Sequence, residues 1–474
     1  MSKPLRVCMV LEGSYPFITG GVAAWVQDII QGLPEVEFSL LTLSPQEHQQ
    51  LRYTLPPNVK EHVDLVLSDA PRKKAGVRPG KRSIAAVLQF HQQMFESKTV
   101  NFNAIIGAPK RIEELDNGLL RDIHLWNLLV QSNLRKNPAY PFSDYFWAWQ
   151  SSHRLLFNTL QARAPEADIY HAISTGFAGL ASLVASRKHN KPFLLTEHGL
   201  YHKEREIEIR KADFVRGYQR DMWINIYNNL SKICYQSADV VTALFEENRQ
   251  KQIELGADPA KCLVIPNGID IERFSSVERK KKPGFHVGLV GRIVSIKDVK
   301  TYIAVAKIVL EQIPEATFYA IGPTDEEPEY YRECLAMVES FHIQDRFIFT
   351  GRQNVLEYYA FLDLMLLTSV REAQPLVILE GWVAGVPCIS TKVGNAPEML
   401  DYDERFLAPS KDPEKLAKNV MYVYQHPDLM KEINERNKQK AIRLYNKKDL
   451  IQRYRELYAQ LGPEQWKSHD GEAT

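Results

Sequence analysis

Two glutamates, Glu372 and Glu380, stand eight positions apart in a stretch that joins a predicted strand to a predicted helix. The apolar run Leu364 to Thr368 predicts the buried strand, and Pro375 opens a helical segment that ends at Gly385. Carboxylates accept hydrogen bonds from sugar hydroxyls, and a helix N-terminus favours phosphate because its free N–H groups and its dipole point there. The stretch therefore predicts a site for a phosphorylated sugar, such as a nucleotide-sugar.

Arg292 and Lys297 lie between a predicted strand at 285–290 and a predicted helix at 299–313. From there both side chains can reach a phosphate near the helix N-terminus, the guanidinium as a bidentate fork and the ammonium as a point charge. Taken alone, the two residues are also compatible with an ordinary charged surface. Their combination with the acidic stretch around Glu372 favours the phosphate site.

In the first half of the chain, His198 follows the predicted strand 192–196, and the pair Gly20 and Gly21 lies between the predicted strand 5–11 and a helix. Active-site groups project from the carboxyl ends of parallel strands, so His198 can bind a substrate oxygen or stabilise developing charge. A structural histidine is the alternative. The two glycines let the backbone approach a ligand closely, or they form an ordinary tight turn. They are not G-x-G-x-x-G, so the dinucleotide fingerprint is missing.

These residues must be positioned by strands and helices that alternate through two halves of the chain. A length of 474 residues predicts two domains. Turn residues at 266–270, followed by a charged stretch with Pro and Gly at 277–284, predict the boundary. The fold class is α/β, with two Rossmann-like parallel sheets covered by helices. We assign residues 1–275 to the N-terminal domain with a helical insertion at about 70–162, residues 284–440 to the C-terminal domain, and residues 441–474 to helices that pack back across the domains.

Composition narrows the class of protein. The chain has 59 Lys and Arg against 58 Asp and Glu, and a net charge of +1 does not indicate a nucleic-acid-binding protein. The 5 cysteines are scattered, so the sequence predicts buried thiols rather than disulfides or a zinc site. No leader and no apolar run of about 20 residues is evident, which predicts a cytoplasmic protein. The basic stretch 72–82 predicts a solvated loop, with contact to an anionic membrane surface or an anionic polymer as the alternative.

The sequence D-Y-D at Asp401 to Asp403 matches a metal-binding D-x-D only superficially. It does not end a buried strand, and the acidic and basic residues around it favour a solvated turn. We therefore predict no metal site.

Taken together, these motifs resemble a known family. They are E-x7-E at Glu372 and Glu380, G-R-x4-K at 291–297, P-N-G-I-D at 266–270, the early Gly-Gly and the histidine after a strand. They resemble the retaining nucleotide-sugar glycosyltransferases of family four, whose GT-B fold has two Rossmann-like domains facing across a cleft. The resemblance covers nearly the whole chain. Most of the wider family has Gly-Phe-Gly after the first Glu, where this chain has Ala373, Gln374 and Pro375.

The resemblance also implies roles for individual residues. Arg292 and Lys297 would neutralise the diphosphate as its bond to the anomeric carbon breaks, and His198 would lie beside the donor sugar. Glu372 would bind hydroxyls of that sugar, and Glu380 the nucleotide ribose. The implied catalytic set is His198, Arg292, Lys297 and Glu372, and the implied donor-binding set is Gly20, Gly21, Arg292, Lys297, Glu372, Gln374, Pro375, Leu376 and Glu380.

The function implied by the resemblance is transfer of a hexose from a UDP-sugar to a growing exopolysaccharide, with no cofactor beyond the donor. The expected partners are the UDP-sugar, a polysaccharide acceptor and inner-membrane proteins of a polysaccharide export complex, with no nucleic acid. Two alternatives stay open: a UDP-sugar epimerase on the same scaffold, and a catalytically silent nucleotide-sugar-binding subunit of a membrane complex. An epimerase would convert UDP-sugar without an acceptor, and a silent subunit would bind it without turnover.

Overall fold

The computed structural model describes residues 3–46, 50–67, 123–136, 141–212 and 217–467, with isolated positions at 85, 89, 94 and 215. The chain divides into two compact units. The first unit comprises Met1–Ile265 with Ile451–Thr474, and the second comprises Pro266–Leu450. The basic stretch 72–82 and part of the predicted insertion at 70–162 lie outside the described residues.

The first unit is built on a parallel sheet of seven strands in the order β3-β2-β1-β4-β5-β6-β7. Its strands are β1 (Leu5–Glu12), β2 (Val36–Ser44), β3 (Val59–Val66), β4 (Ile169–Ala172), β5 (Phe193–Glu197), β6 (Val240–Ala243) and β7 (Cys262–Val264). Its helices before residue 265 are α1 (Gly21–Gly32), α2 (Ile123–Lys136), α3 (Phe142–Leu160), α4 (Gly176–His189), α5 (Tyr201–Lys211), α6 (Tyr218–Ser237) and α7 (Glu246–Glu254). β1, β4 and β5 are almost wholly buried, as their continuous apolar runs predict for inner strands of a parallel sheet.

The second unit repeats this architecture with a parallel sheet of six strands in the order β10-β9-β8-β11-β12-β13. Its strands are β8 (Phe285–Val290), β9 (Ala316–Ile321), β10 (Phe347–Gly351), β11 (Leu364–Leu367), β12 (Cys388–Thr391) and β13 (Leu407–Ala408). Its helices are α8 (Ile271–Ser275), α9 (Val299–Leu310), α10 (Pro328–Ser340), α11 (Val355–Tyr359), α12 (Leu376–Val383), α13 (Ala396–Met399), α14 (Pro413–Gln425) and α15 (Pro427–Leu444). The predicted fold class, two Rossmann-like parallel sheets with helices, is confirmed.

Strand order reverses once in each sheet, between β1 and β4 in the first and between β8 and β11 in the second. Ligands of open α/β sheets bind beyond the carboxyl ends of the strands at such a switch point. In the second unit, Gly291 and Arg292 follow β8, and the stretch that contains Glu372 follows β11. Two motifs that are distant in sequence therefore start from neighbouring strands.

The C-terminal helix α16 (Lys447–Leu461) precedes a short helix, α17 (Glu464–Lys467), and from Ile451 onward the chain belongs to the first unit. Two of its tyrosines enter a buried polar network under the first sheet. His171 Nδ1 lies 2.7 Å from the Tyr458 hydroxyl, and His171 Nε2 lies 2.8 Å from Thr196 Oγ1, which is 2.9 Å from the Tyr454 hydroxyl. Burial lowers the pKa of His171 to about 3, so this network holds a neutral imidazole.

The prediction for β3 was wrong at its start. The sequence predicted residues 63–67, whereas the strand spans Val59–Val66. β3 lies at the edge of the sheet, and the polar residues 60–62 follow Val59, so apolar residues mark only the second half of the strand. The D-Y-D stretch lies in a turn after α13, with the carboxylate of Asp401 beside Lys440 and that of Asp403 beside Arg405.

Candidate active site

A partly buried ion pair joins the basic loop after β8 to the acidic stretch after β11. Lys297 Nζ lies 2.5 Å from Glu372 Oε1, and only 17% and 16% of the two side chains are exposed. The pair lies at the switch point of the second sheet, where this class of fold binds ligands. The arrangement can bind an anionic group through the ammonium and a hydroxyl group through the carboxylate.

Glycines and a buried threonine position Lys297. Gly322 has a φ of 155°, and a Cβ there would lie 2.0 Å from the carbonyl oxygen of Gly291, so the loops after β8 and β9 approach too closely for any side chain. The Thr368 hydroxyl donates to the backbone carbonyls of Lys297 and Asp298, at 2.9 and 3.0 Å. The basic loop is thereby fastened to the end of β11.

Glu372 is positioned by residues at the ends of β11 and β12. The Ser369 hydroxyl donates to Glu372 Oε1 at 2.6 Å, and the Thr391 hydroxyl donates to the Ser369 carbonyl at 2.6 Å. Gly394 has a φ of 51°, and a Cβ there would lie 2.4 Å from the Glu372 carbonyl oxygen and 2.2 Å from that of Ala373. Only glycine fits at that position without moving the acidic loop.

Arg292 is paired with a different carboxylate. Its Nη1 lies 2.5 and 2.7 Å from the two oxygens of Glu326, in the loop after β9, and about half of each side chain is exposed. The next residue, Glu327, accepts a hydrogen bond from the Ser295 backbone N–H at 2.9 Å. Two acidic side chains therefore occupy the guanidinium and a backbone N–H of the basic loop, the two kinds of group that bind phosphate.

The structure places the predicted donor contacts Gln374, Pro375 and Leu376 between the acidic loop and α12. The Gln374 amide is engaged at both ends by the backbone of Asn267, accepting from its N–H at 2.8 Å and donating to its carbonyl at 3.2 Å. Pro375 caps α12 and Leu376 is its first residue. Gln374 thus joins the acidic loop to the P-N-G-I-D turn.

Glu380 lies on α12 and is hydrogen-bonded by the Tyr359 hydroxyl at 2.9 Å. Burial raises the pKa of Glu380, and the Tyr359 hydrogen bond and the positive charge of Arg273 oppose that shift. No direct contact between Glu380 and the Lys297–Glu372 pair was found within the described residues. Glu380 lies on α12, the helix that directly follows the stretch containing Glu372.

In the first unit, His198 lies directly after β5, as predicted from sequence, and is 7% exposed. Its ring contacts Trp25 edge to face, with the ring centroids 4.8 Å apart. Burial lowers the pKa of His198 to about 4, which keeps the imidazole neutral. Its Nε2 finds no hydrogen-bond partner among the described residues and is therefore free to bind a ligand oxygen.

Gly20 caps α1 in an extended conformation, and Gly21 is the first residue of that helix. A Cβ at either position would meet nothing within 4 Å. Neither glycine is required by the packing of the first unit in this structure.

Sequence reasoning missed two carboxyl groups at strand ends of the first sheet, the buried Glu197 and the partly buried Glu12. Glu197, the last residue of β5, accepts from the hydroxyls of Thr175 and Tyr235 at 3.1 and 2.5 Å and from the Tyr201 backbone N–H at 3.0 Å. Glu12, the last residue of β1, accepts from the Tyr201 hydroxyl at 2.7 Å. Burial raises the pKa of both carboxyl groups. A signal was available, because each ends an apolar strand with an acidic residue.

Within the described part of the chain, no cluster of three or more His, Cys, Asp or Glu side chains has the arrangement of a metal site. The five cysteines are all buried, as predicted. No described helix combines the length and apolar composition that crossing a bilayer requires.

Two family models match the chain. Residues 5–260, more than half of it, match the family described as Domain of unknown function (DUF3492), and residues 284–426 match Glycosyl transferases group 1. The chain is 29% identical over 244 residues to N-acetyl-alpha-D-glucosaminyl L-malate synthase of Bacillus anthracis, a match that covers 49% of this chain and 62% of that protein. It is 26% identical over 230 residues to UDP-Gal:alpha-D-GlcNAc-diphosphoundecaprenol alpha-1,3-galactosyltransferase of Escherichia coli, covering 44% and 58%. The chain thus spans about three fifths of the length of these two curated relatives.

Solved structures resemble the whole fold. HepE of Anabaena, in complex with UDP, superposes with a TM-score of 0.60 at 15% identity over 96% of this chain and 100% of that one. Sucrose-phosphate synthase of Thermosynechococcus elongatus gives a TM-score of 0.60 at 16% identity over 96% and 99%. At such identities the likeness is one of fold alone.

The two sheets and these solved structures define the class of fold, that of the GT-B glycosyltransferases. Within that class, the chain belongs to the DUF3492 family, and its second unit carries the group 1 glycosyltransferase domain.

Proposed function

We propose that this protein transfers a hexose from a UDP-sugar to a growing exopolysaccharide, with retention of the anomeric configuration and without a metal ion. The observation that carries the proposal is the contact between Lys297 and Glu372 at the switch point of the second sheet. It brings a cation for the diphosphate and a carboxylate for sugar hydroxyls to one place. UDP is bound in the HepE crystal structure, and the E. coli relative is named as a UDP-galactose enzyme, which supports a UDP-sugar donor.

In the proposed reaction, an acceptor hydroxyl attacks the anomeric carbon on the face from which UDP departs. The bond between that carbon and the β-phosphate oxygen breaks, and the hydroxyl proton passes to the departing phosphate. Arg292 and Lys297 stabilise the negative charge that develops on the diphosphate, the largest electrostatic demand of the step. Glu372 holds the donor sugar and Glu380 the ribose. Within the first unit, His198 is a neutral imidazole that can donate a hydrogen bond to a ligand oxygen or accept one from it.

The assignment to exopolysaccharide assembly of the Pel type rests on local sequence. We propose it because we interpret the stretches E-G-S-Y-P-F-I-T-G-G-V-A-A-W-V, T-E-H-G-L-Y and E-A-Q-P-L-V-I-L-E of this chain as resembling PelF, the glycosyltransferase associated with the Pel polymer. We accordingly propose a polysaccharide acceptor, a cytoplasmic location and association with inner-membrane proteins of an export complex.

A thermal-shift series with UDP-, GDP- and ADP-sugars tests the donor. A ligand that binds only the native state raises the apparent stability, and we expect the largest shift from UDP compounds. Lys297→Ala should reduce that shift. The matched control is Lys300→Ala, an exposed lysine of α9 paired with Glu333 rather than with the acidic loop, and it should retain the shift. A larger shift from GDP- or ADP-sugars would refute the donor assignment.

Turnover separates the proposed function from its alternatives. Purified protein should release UDP from UDP-sugar and elongate an oligosaccharide acceptor, with no loss of rate when a chelator is present. Conversion of the UDP-sugar to its epimer with no acceptor would identify an epimerase. Tight binding without transfer or hydrolysis, together with cellular function that survives Glu372→Ala, would identify a silent binding subunit.

A further inference from the structure

The two oxygens of the Glu372 carboxylate have unequal surroundings. Oε1 receives both hydrogen bonds that reach this side chain, from the Ser369 hydroxyl at 2.6 Å and from Lys297 Nζ at 2.5 Å. Oε2 has no hydrogen-bond partner among the described residues. A carboxylate has about four acceptor positions, so one oxygen is anchored and the other keeps its full capacity to accept.

Of the two groups that donate to Oε1, the Ser369 hydroxyl is the one that the protein itself holds in place. It is fully buried, and its backbone is held by the Thr391 hydroxyl, which donates to the Ser369 carbonyl at 2.6 Å. The next residue, Val370, donates its backbone N–H to the Ile296 carbonyl at 2.9 Å. The Ser369 hydroxyl therefore has a fixed origin, and its one proton is given to Glu372.

Lys297 is the anchor that a donor substrate would disturb. Its ammonium has three protons, and a bound diphosphate carries more negative charge than one carboxylate. When Lys297 turns toward the diphosphate, its attraction for Glu372 is divided, and Ser369 is the remaining contact that holds the carboxylate in place.

We propose that Ser369 is a positioning residue for donor-sugar recognition: it fixes Oε1 of Glu372, so that Oε2 is left to accept hydrogen bonds from hydroxyls of the donor sugar. The inference rests on the proposed function, since it assumes a nucleotide-sugar at this site. It divides recognition between the uridine diphosphate, which Lys297 and Arg292 hold, and the sugar, which the Ser369-supported carboxylate selects.

This division predicts a selective defect. In Ser369→Ala, the affinity for UDP should stay within about twofold of the wild type, because the cations that bind the diphosphate are unchanged. The affinity for the UDP-sugar should fall by about tenfold, the size of effect expected when a charge-assisted hydrogen bond to a partly buried carboxylate is removed. If Ser369 had a purely structural role, Ser369→Ala would weaken the binding of UDP and of the UDP-sugar alike.

The experiment is a pair of calorimetric titrations, with UDP and with the UDP-sugar that gives the largest thermal shift, on full-length protein. Ser369→Cys is the second variant, because it is nearly isosteric and its thiol is a weaker donor, and it should show a smaller loss of the same kind. Ser390→Ala is the matched control. Ser390 is equally buried, on β12, but its hydroxyl donates to the Thr391 carbonyl at 2.8 Å rather than to Glu372.

The outcomes separate this inference from the function on which it rests. A wild-type protein that binds no UDP-sugar would overturn the proposed function. If the wild type binds UDP-sugar and the Ser369 variants lose affinity for UDP and for UDP-sugar equally, or for neither, only the role of Ser369 is overturned. The same selective loss in Ser390→Ala would also overturn it, because that variant leaves the Glu372 contact intact.

Discussion

Replacing Glu326 by glutamine should tighten the binding of UDP. In the structure both oxygens of Glu326 contact Arg292 Nη1, at 2.5 and 2.7 Å. If Arg292 binds the diphosphate of the donor, as proposed, the diphosphate must first displace this carboxylate. Glutamine keeps the size of the side chain but has no negative charge, so the guanidinium is more readily available to the ligand.

The expected gain in UDP affinity is modest because the Arg292–Glu326 ion pair is exposed. About half of each side chain is accessible to solvent, at 48% and 50%, and exposed ion pairs contribute up to about 1 kcal/mol. The dissociation constant for UDP should therefore fall by a factor of up to about five. Salt screens exposed charges, so the difference between variant and wild type should shrink as the ionic strength rises.

Calorimetric titration with UDP at low and at high salt measures both effects. Glu333→Gln is the matched control, because Glu333 forms an ion pair of similar exposure with Lys300, at 2.8 Å, and that pair has no proposed role in binding. The control should leave UDP affinity unchanged. Weaker or unchanged UDP binding in Glu326→Gln would show that this carboxylate does not compete with the diphosphate, and it would refute the reasoning.

Three further predictions concern single residues. Gly394→Ala should destabilise the protein by about 1–2 kcal/mol or more in urea unfolding, because φ is 51° and the new Cβ would lie 2.2 Å from the Ala373 carbonyl oxygen; wild-type stability would contradict this. Burial lowers the pKa of His198 from 6.5 to about 4. As the pH falls, the unfolded chain therefore takes up a proton at His198 before the folded protein does. The free energy of unfolding should drop by up to about 1.4 kcal/mol per pH unit between pH 6.5 and about pH 4. His198→Gln should lose that part of the slope in urea unfolding measured at pH 7 and pH 5, and parallel profiles would contradict it. Tyr359→Phe removes a hydrogen-bond donor to Glu380 and should raise the pKa of that carboxyl group further. As the pH is lowered, UDP binding to the variant should therefore weaken at a higher pH than binding to the wild type. If UDP titrations from pH 5 to pH 8 show the same loss of affinity at low pH in both proteins, Glu380 does not act in this way.

Much of the fold was predictable because the signals are local. The strand β8 was predicted to the residue and β11 to within one residue, since each is a largely apolar run bounded by turn residues. The start of β3 was not, because an edge strand that begins with consecutive polar residues resembles a loop. Helix α12 begins after Pro375 and ends before Gly385, whose φ of 82° suits a glycine, as the sequence predicted.

The site itself was only partly predictable. The sequence indicated that Lys297 and Glu372 follow strands of one sheet, and the structure brings these residues, 75 positions apart, into contact. The sequence did not indicate that Glu326 would form an ion pair with Arg292, since an acidic residue in a polar loop carries no periodic signal. Nor did it indicate that Gln374 would join the backbone of a residue 107 positions away.

By itself, then, the sequence determined which segments are strands and helices, their order, and which charged residues follow strand ends. Burial periodicity and turn chemistry act over a few residues, so they can be recognised without a structure. Tertiary structure alone decided which oxygen of Glu372 is anchored and which carboxylate holds each cation. Those pairings depend on the strand order and on side-chain packing between segments far apart in the chain, which no local pattern encodes.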